Sequence, residues 1–247
     1  MIFKRPVVHL KQWKKFSVDA GFTTRHFPLF LKKADDLSEI SNQEKLKEAR
    51  IGTHFVFLNQ VHGENIAVLE DAAEATPGDA PAFRHFPETD SVITNLCRTT
   101  LLVLTADCLS IFFCAMKNKK VSWVGLTHAG WRGTRKKIAQ KTFILLMQKA
   151  RCPAKDIHIA FGPAIGAKHY EVGEEFQGYF PESVHRIKGK LFFDLAGENK
   201  KQLMEAGADP KNISDSKMDT FSGQGRFYSF RREKEAAGRI ISFIRKY

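Results

Sequence analysis

Three side chains in this sequence join reactive chemistry to suitable surroundings: His62, Cys108 and His128, each at the end of an apolar run and beside small residues. Neutral imidazole and thiolate both suit a borderline-soft cation, so two histidines and a cysteine make a zinc donor set. Three protein donors leave a fourth position for water, the mark of a catalytic rather than a structural site. Cys108 follows His62 by 46 positions and precedes His128 by 20, so no local motif such as HExxH brings them together. Two other readings stay open from the residues alone. Cys108 and His128 could act as nucleophile and base without a metal, or Cys108 could be a small buried hydrophobe and the histidines turn residues.

The elements that must position these groups lie between Thr99 and Thr134. Leu101–Leu104 is a short apolar run that ends in a polar Thr105-Ala106-Asp107-Cys108 corner. A second run, Leu109–Met116, a charged turn at Lys117–Lys120 and a third run, Val121–Leu126, predict a hairpin with a buried body. The third run breaks at Thr127-His128-Ala129-Gly130-Trp131-Arg132-Gly133-Thr134, which places Cys108 and His128 at strand ends. A helix follows, because Ala139, Phe143, Leu146, Met147 and Ala150 recur on one face. Thr134 is its expected N-cap, with Arg135, Lys136 and Lys137 in the first turn, where cations oppose the macrodipole. A phosphate held by first-turn amides and by Arg132 or Arg135 would offset that conflict, and a plain solvated basic face is the alternative.

The rest of the chain alternates strands and helices, which argues an α/β fold. Val18–Arg25 is an entry segment in which Gly21 sets a turn or Phe22 anchors a strand, its Arg25 a surface charge or an anion contact, and Ser38–Arg50 is a helix with capping-box spacing at Ser41–Glu44. Strand-like runs flank Asn59-Gln60-Val61-His62-Gly63, and Glu70–Glu88 reads as a long surface loop. Asp90–Thr94 and Ile157–Phe161 are strands, the second stopped by Gly162-Pro163-Ala164-Ile165-Gly166. Leu191–Leu195 is a strand and Glu198–Ala206 a helix closed by Gly207. Arg226–Arg232 and Arg239–Arg245 are two short strands, or a strand and a helix.

With 247 residues, 43% of them hydrophobic, and no linker or composition shift, the chain is expected to form one domain over 1–247. No apolar run approaches the roughly 20 residues of a membrane span. The start lacks the apolar core of a secretory signal, so a cytoplasmic location is expected. Four cysteines without a CxxC pair indicate reduced thiols, not a disulfide framework or a zinc finger. The formal charge of +12 attracts anions in general, but the basic residues are scattered and carry no nucleic-acid-binding motif.

Five motifs stand in one order: Gln60-Val61-His62-Gly63, Thr105-Ala106-Asp107-Cys108, His128-Ala129-Gly130-Trp131-Arg132-Gly133, Gly162-Pro163-Ala164-Ile165 and Tyr228-Ser229-Phe230-Arg231-Arg232. With them the chain resembles, from about Phe22 to Ile241, the YfiH or laccase-domain family, also called multicopper polyphenol oxidase-like. Its members are regarded as purine nucleoside phosphorylases with adenosine deaminase activity. The resemblance implies a single-domain αβ four-layer sandwich of the kind found in cytotoxic necrotising factor toxins. It also implies that His62, Cys108 and His128 are catalytic zinc ligands, with Arg25, Asp107 and Arg132 as substrate-contact candidates. The implied substrates are phosphate and adenosine, inosine, guanosine or methylthioadenosine, with no specific nucleic acid and no membrane. The older family label implies a copper-dependent phenol oxidase instead, and the toxin fold a metal-free Cys108 and His128 deamidase. A laccase needs several histidine-rich copper sites, and nine histidines without an HxH pair do not supply them. The chain departs from the family pattern twice. Arg25-His26-Phe27-Pro28-Leu29-Phe30 replaces a Gly-Gly-Val-Ser-like loop, and Asp219 stands where the family commonly has cysteine.

Overall fold

The apolar runs between Leu101 and Leu126 form strands in the computed structural model, which describes residues 5–70, 83–223 and 225–247. In chain order the strands are β1 (Val7–His9), β2 (Val18–Thr23), β3 (His54–Leu58), β4 (Ile66–Leu69) and β5 (Phe83–Phe86). Next come β6 (Ser91–Thr94), β7 (Thr99–Thr105), β8 (Leu109–Lys117), β9 (Lys120–Ala129) and β10 (Ile157–Phe161). The last are β11 (Glu171–Val172), β12 (Val184–Ile187), β13 (Lys190–Phe193), β14 (Ile213–Asp215) and β15 (Ile240–Lys246). Two six-stranded sheets run β1-β2-β15-β7-β3-β5 and β14-β10-β8-β9-β6-β4, with a small third sheet β11-β13-β12. The helices are α1 (Ile40–Glu48), α2 (Trp131–Arg135), α3 (Ile138–Ala150), α4 (Glu175–Tyr179), α5 (Leu195–Glu205) and α6 (Phe230–Glu233).

Side-chain alternation sorts these elements into layers. Along β7, Leu101 and Val103 enter the core between the two large sheets, whereas Leu102 and Leu104 enter a second core shared with Leu46 of α1. Along β8, Phe112 and Cys114 join the inter-sheet core, while Ile111 and Phe113 meet Ala139, Phe143 and Leu146 of α3. Strands covered on both faces read as unbroken apolar runs, which is why the sequence shows no polar alternation there. The result is helix, sheet, sheet, helix: the four-layer α/β sandwich that the resemblance implied.

Four local expectations need correction. Residues 130–150 fold as two helices, not one: Lys137 adopts a left-handed φ of 61° and separates α2 from α3. Thr134 is therefore no N-cap. It is buried inside α2, its hydroxyl accepting from Asn199 and its carbonyl from Gln202 of α5. No helix starts where the anion was expected; Arg135 instead lies 3.7 Å over the Tyr179 ring and Lys136 faces Glu64. Strand β9 runs on through His128 and breaks only at Gly130. At the first helix the N-cap is Glu39, so Ser41 and Glu44 form no capping box. A 3-10 turn over 34–38 feeds into α1 directly, and Gln43 caps its carbonyls at Leu37 and Ser38. Within the expected loop of Glu70–Glu88, Phe83–Phe86 forms β5 and pairs with β3; residues 71–82 lie outside the described ones. The final stretch resolves as helix α6 and strand β15.

The inter-sheet core sets the stability of this arrangement. Phe112 is fully buried there and meets Trp13 edge-on with ring centroids 6.3 Å apart. Phe112→Ala removes those contacts and leaves a cavity between rigid sheets, so urea unfolding is expected to show a loss of about 3–5 kcal/mol.

Candidate active site

The strand pairings explain how residues far apart in sequence meet. Strand β3 runs parallel to β7 in the register His54↔Thr99 to Phe57↔Leu102, a constant offset. Both strands therefore exit at the same sheet edge, and the loop carrying His62 reaches the Ala106–Cys108 corner. The hairpin does the same for the second separation: β8 pairs with β9 as Leu109↔Ala129 and Ser110↔His128, which folds His128 back beside Cys108. The donor atoms of His62, Cys108 and His128 all lie within 4.8 Å of one another.

Two hydrogen-bonded devices hold the His62 loop. The Gln60 amide imitates a strand, donating to the Leu104 carbonyl at 2.8 Å and accepting from the Leu104 N–H at 2.7 Å. Beneath it the Asp90 carboxylate, fully buried, accepts the N–H groups of Val61, His62 and Gly63 at 3.1, 3.0 and 2.7 Å. These bonds support the left-handed φ of 57° at His62, an uncommon conformation for a residue with a side chain. The same carboxylate pairs with Nδ1 of His128 at 2.7 Å, which turns Nε2 toward the cluster. Gly130 completes the enclosure, since a Cβ there would lie 2.9 Å from Cys108 Sγ and from a His62 ring carbon.

Electrostatics inside the cluster follow from this packing. Burial pushes the Cys108 thiol up, but attraction and hydrogen bonding to His128 and then His62 outweigh it and bring it down to about 6. For His128, burial disfavours the charged ring, yet Cys108 and Asp90 together raise it to about 9. Asp90 is itself held below the usual carboxylate range: the bonds from His128, Gly63 and Val61 overcome the cost of burial. A thiolate and two ring nitrogens in this spacing form a donor set that fits zinc with an open position, and it also suits copper(I).

The cluster opens into a cavity of about 450 Å³, within the range of a small-molecule site. Arg132 lines it, its guanidinium 4.3 Å over the Trp131 ring. Asp107 also lines it, at a φ of 95°, but its carboxylate accepts from the Thr220 hydroxyl and the Arg231 N–H and so ties the corner to the segment before α6. Arg25 is not among the lining residues; it pairs with Glu233 at 3.3 Å and stacks on Tyr228. Sequence reasoning missed Asp90, Gln60, Tyr170 and Arg231. Only the unexplained acid heading the Ser91–Thr94 run, and the glutamine beside the histidine, hinted at the first two. Tyr170 faces the cavity with a hydroxyl pushed up by burial and by Cys108, so it stays protonated at neutral pH.

With this geometry established, comparison places the molecule. The family described as multi-copper polyphenol oxidoreductase laccase matches residues 19–246. The chain belongs to that family. It is 30% identical to purine nucleoside phosphorylase YlmD of Geobacillus stearothermophilus over 91% of this chain and 89% of that one. It is likewise 30% identical to a purine nucleoside phosphorylase of Deinococcus radiodurans, over 86% and 79%. Among crystal structures, the hypothetical protein YfiH of Bacillus licheniformis superposes with a TM-score of 0.83 at 26% identity, covering 99% of this chain and 98% of that one. YlmD of Geobacillus stearothermophilus gives 0.82 at 27% identity, covering 98% and 96%. The resemblance read from the five motifs is thus confirmed, and with it the fold.

Asp219, expected from the resemblance to be a departure from the family pattern, has a structural role. Its carboxylate accepts the N–H groups of Gly166 and Phe221 and the Ser222 hydroxyl, and pairs with His169. It braces the turn after β10 against the segment before α6 and does not line the cavity.

Asp90 offers the sharpest test of the site's architecture. Asp90→Asn in metal-free protein removes one of the two negative groups that hold the His128 charge and weakens the bonds to the His62 loop, and a loss of about 3 kcal/mol is expected on urea unfolding at pH 7. Because the Asp90 carboxyl lies below its ordinary value of 3.8, its contribution is present above about pH 4 and is lost as pH falls further. The difference between variant and wild type should shrink accordingly in unfolding series taken to pH 3. Zinc affinity, measured by competition with a chelating dye, should fall about 10- to 100-fold.

Proposed function

We propose that this chain is a zinc-dependent purine nucleoside phosphorylase with adenosine deaminase activity, acting in the cytoplasm with His62, Cys108 and His128 as the metal ligands. One observation carries the reading: two histidines and a cysteine converge at a nucleoside-sized cavity in a chain whose relatives are named purine nucleoside phosphorylases. All four cysteines are free thiols, which suits that compartment. A bound zinc ion supplies Lewis acidity at the open position. The chain's own groups do the rest. Trp131, Tyr170 and Phe230 offer aromatic surface for a flat purine, and Arg132 offers a planar cation. Tyr170, still protonated, can donate to a purine nitrogen. In phosphorolysis a phosphate oxygen bonds to the sugar carbon as the glycosidic bond breaks, and the purine leaves with the electron pair and takes up a proton. In deamination water adds at the amine-bearing carbon and ammonia departs.

Copper-dependent phenol oxidation fits less well. Among the described residues only one group of three potential metal donors occurs, whereas a laccase couples several copper centres. A second reading does have a specific observation behind it. The Cys108 thiol brought down to about 6 beside a charged His128 is also the arrangement of a cysteine nucleophile with its base.

Chromatography of adenosine or inosine incubated with phosphate and zinc-loaded protein is expected to yield adenine or hypoxanthine, and adenosine to yield inosine. Cys108→Ala should lower both rates by more than about a hundredfold. A fully active Cys108→Ala variant overturns the zinc reading. Turnover by chelated protein that stops on alkylation of Cys108 selects the nucleophile instead.

A further inference from the structure

The charges on the cavity wall point to a ligand that the cluster alone does not explain. Five cationic residues line the cavity: Lys32, Lys33, Arg132, Arg231 and Arg239. Against them stands a single carboxylate, Asp107, already engaged by Thr220 and by the Arg231 N–H. Three of the five are held by backbone carbonyls. The Lys32 ammonium donates to the Glu235 carbonyl, and Arg239 donates to the carbonyls of Ala237 and Gly238. Arg231 donates to the Glu171 carbonyl and lies 5.2 Å over the Tyr170 ring.

The chemistry of their partners sets these three apart from Arg25, Arg232 and Lys33; Arg132, which lies over the Trp131 ring, also has no carboxylate partner among the described residues. Arg25 and Arg232 both pair with the Glu233 carboxylate, and Lys33 faces Asp35. Lys32, Arg231 and Arg239 have no carboxylate partner among the described residues; carbonyl oxygens position them and leave their charge uncompensated. Three like charges gathered on the wall of one cavity repel one another, and a multiply charged anion with several acceptor oxygens is the ligand that reverses that repulsion. The register places this wall close to the cluster, since Ile240, which follows Arg239, pairs with Thr105, and Asp107 holds the Arg231 backbone.

We infer that Lys32, Arg231 and Arg239 form a phosphate-binding wall of the cavity. This inference deepens the phosphorylase reading and rests on it for the role of the cavity. The phosphate group comes from one of two sources: inorganic phosphate as the attacking partner, or a phosphate ester carried by the nucleoside.

Calorimetric titration with inorganic phosphate, on zinc-loaded and on chelated protein, tests the wall without requiring turnover. Binding is expected in both forms, weakened about tenfold or more by Arg239→Gln and by Arg231→Gln. Lys32→Gln, at an exposed position, controls for folding defects and should weaken binding with the melting temperature unchanged. Parallel titrations with adenosine and adenosine 5′-monophosphate separate the sources. If the group is an ester, the monophosphate binds more tightly than adenosine and the variants erase the difference. If it is inorganic phosphate, the variants raise KM for phosphate and leave KM for the nucleoside unchanged. Phosphate binding that disappears on chelation, or that all three variants retain in full, overturns the inference. Phosphate binding through these residues without nucleoside cleavage would defeat the phosphorylase reading and leave the wall standing.

Discussion

The site depends on one buried carboxylate. Asp90 receives three consecutive backbone N–H groups from the His62 loop and the Nδ1 atom of His128, so a single side chain places two of the three candidate ligands. Burying a charge is costly unless its hydrogen bonds are complete, and here they are supplied from two segments that would otherwise be independent. That coupling gives the left-handed turn at His62 its support. It also fixes which ring nitrogen of His128 faces Cys108.

Around that anchor the sheets act as spacers. A parallel register between β3 and β7 makes the two chains leave the sheet at one edge, and the β8–β9 hairpin folds His128 back onto Cys108. The layers on either side keep those strands rigid: the inter-sheet core lies on one face and the α1 and α3 cores on the others. A loop presented by strands this well packed can hold reactive groups at fixed distances. The small third sheet and α4 add the aromatic side, with Trp131 packed against Phe176 and Tyr179.

The charge pattern has a similar logic. A net charge of +12 spread over the sequence carries no positional information. The fold then divides the cations near the cavity into those matched with carboxylates and those held by carbonyls or, for Arg132, over an aromatic ring. Asp219 shows a carboxylate committed to structure: it braces two turns and stays out of the cavity.

What the sequence determined by itself was local and periodic. Apolar runs marked β7, β8 and β9, and the corner at Asp107-Cys108 was legible, although β9 runs on to Ala129 past the expected break at Thr127, and His62, Cys108 and His128 stood out as donors at run ends. The helix boundaries were less legible, because the amphipathic spacing of α3 is compatible with a start at Thr134, whereas the interior partners Asn199 and Gln202 draw Thr134 into a separate turn. The tertiary structure alone decided that the three donors meet, that Asp90 and Gln60 hold them, and that Tyr170, Arg231 and Arg239 share their cavity. Those relations join segments separated by tens to more than a hundred residues, and side-chain spacing encodes only which face a residue occupies, not which distant face it meets.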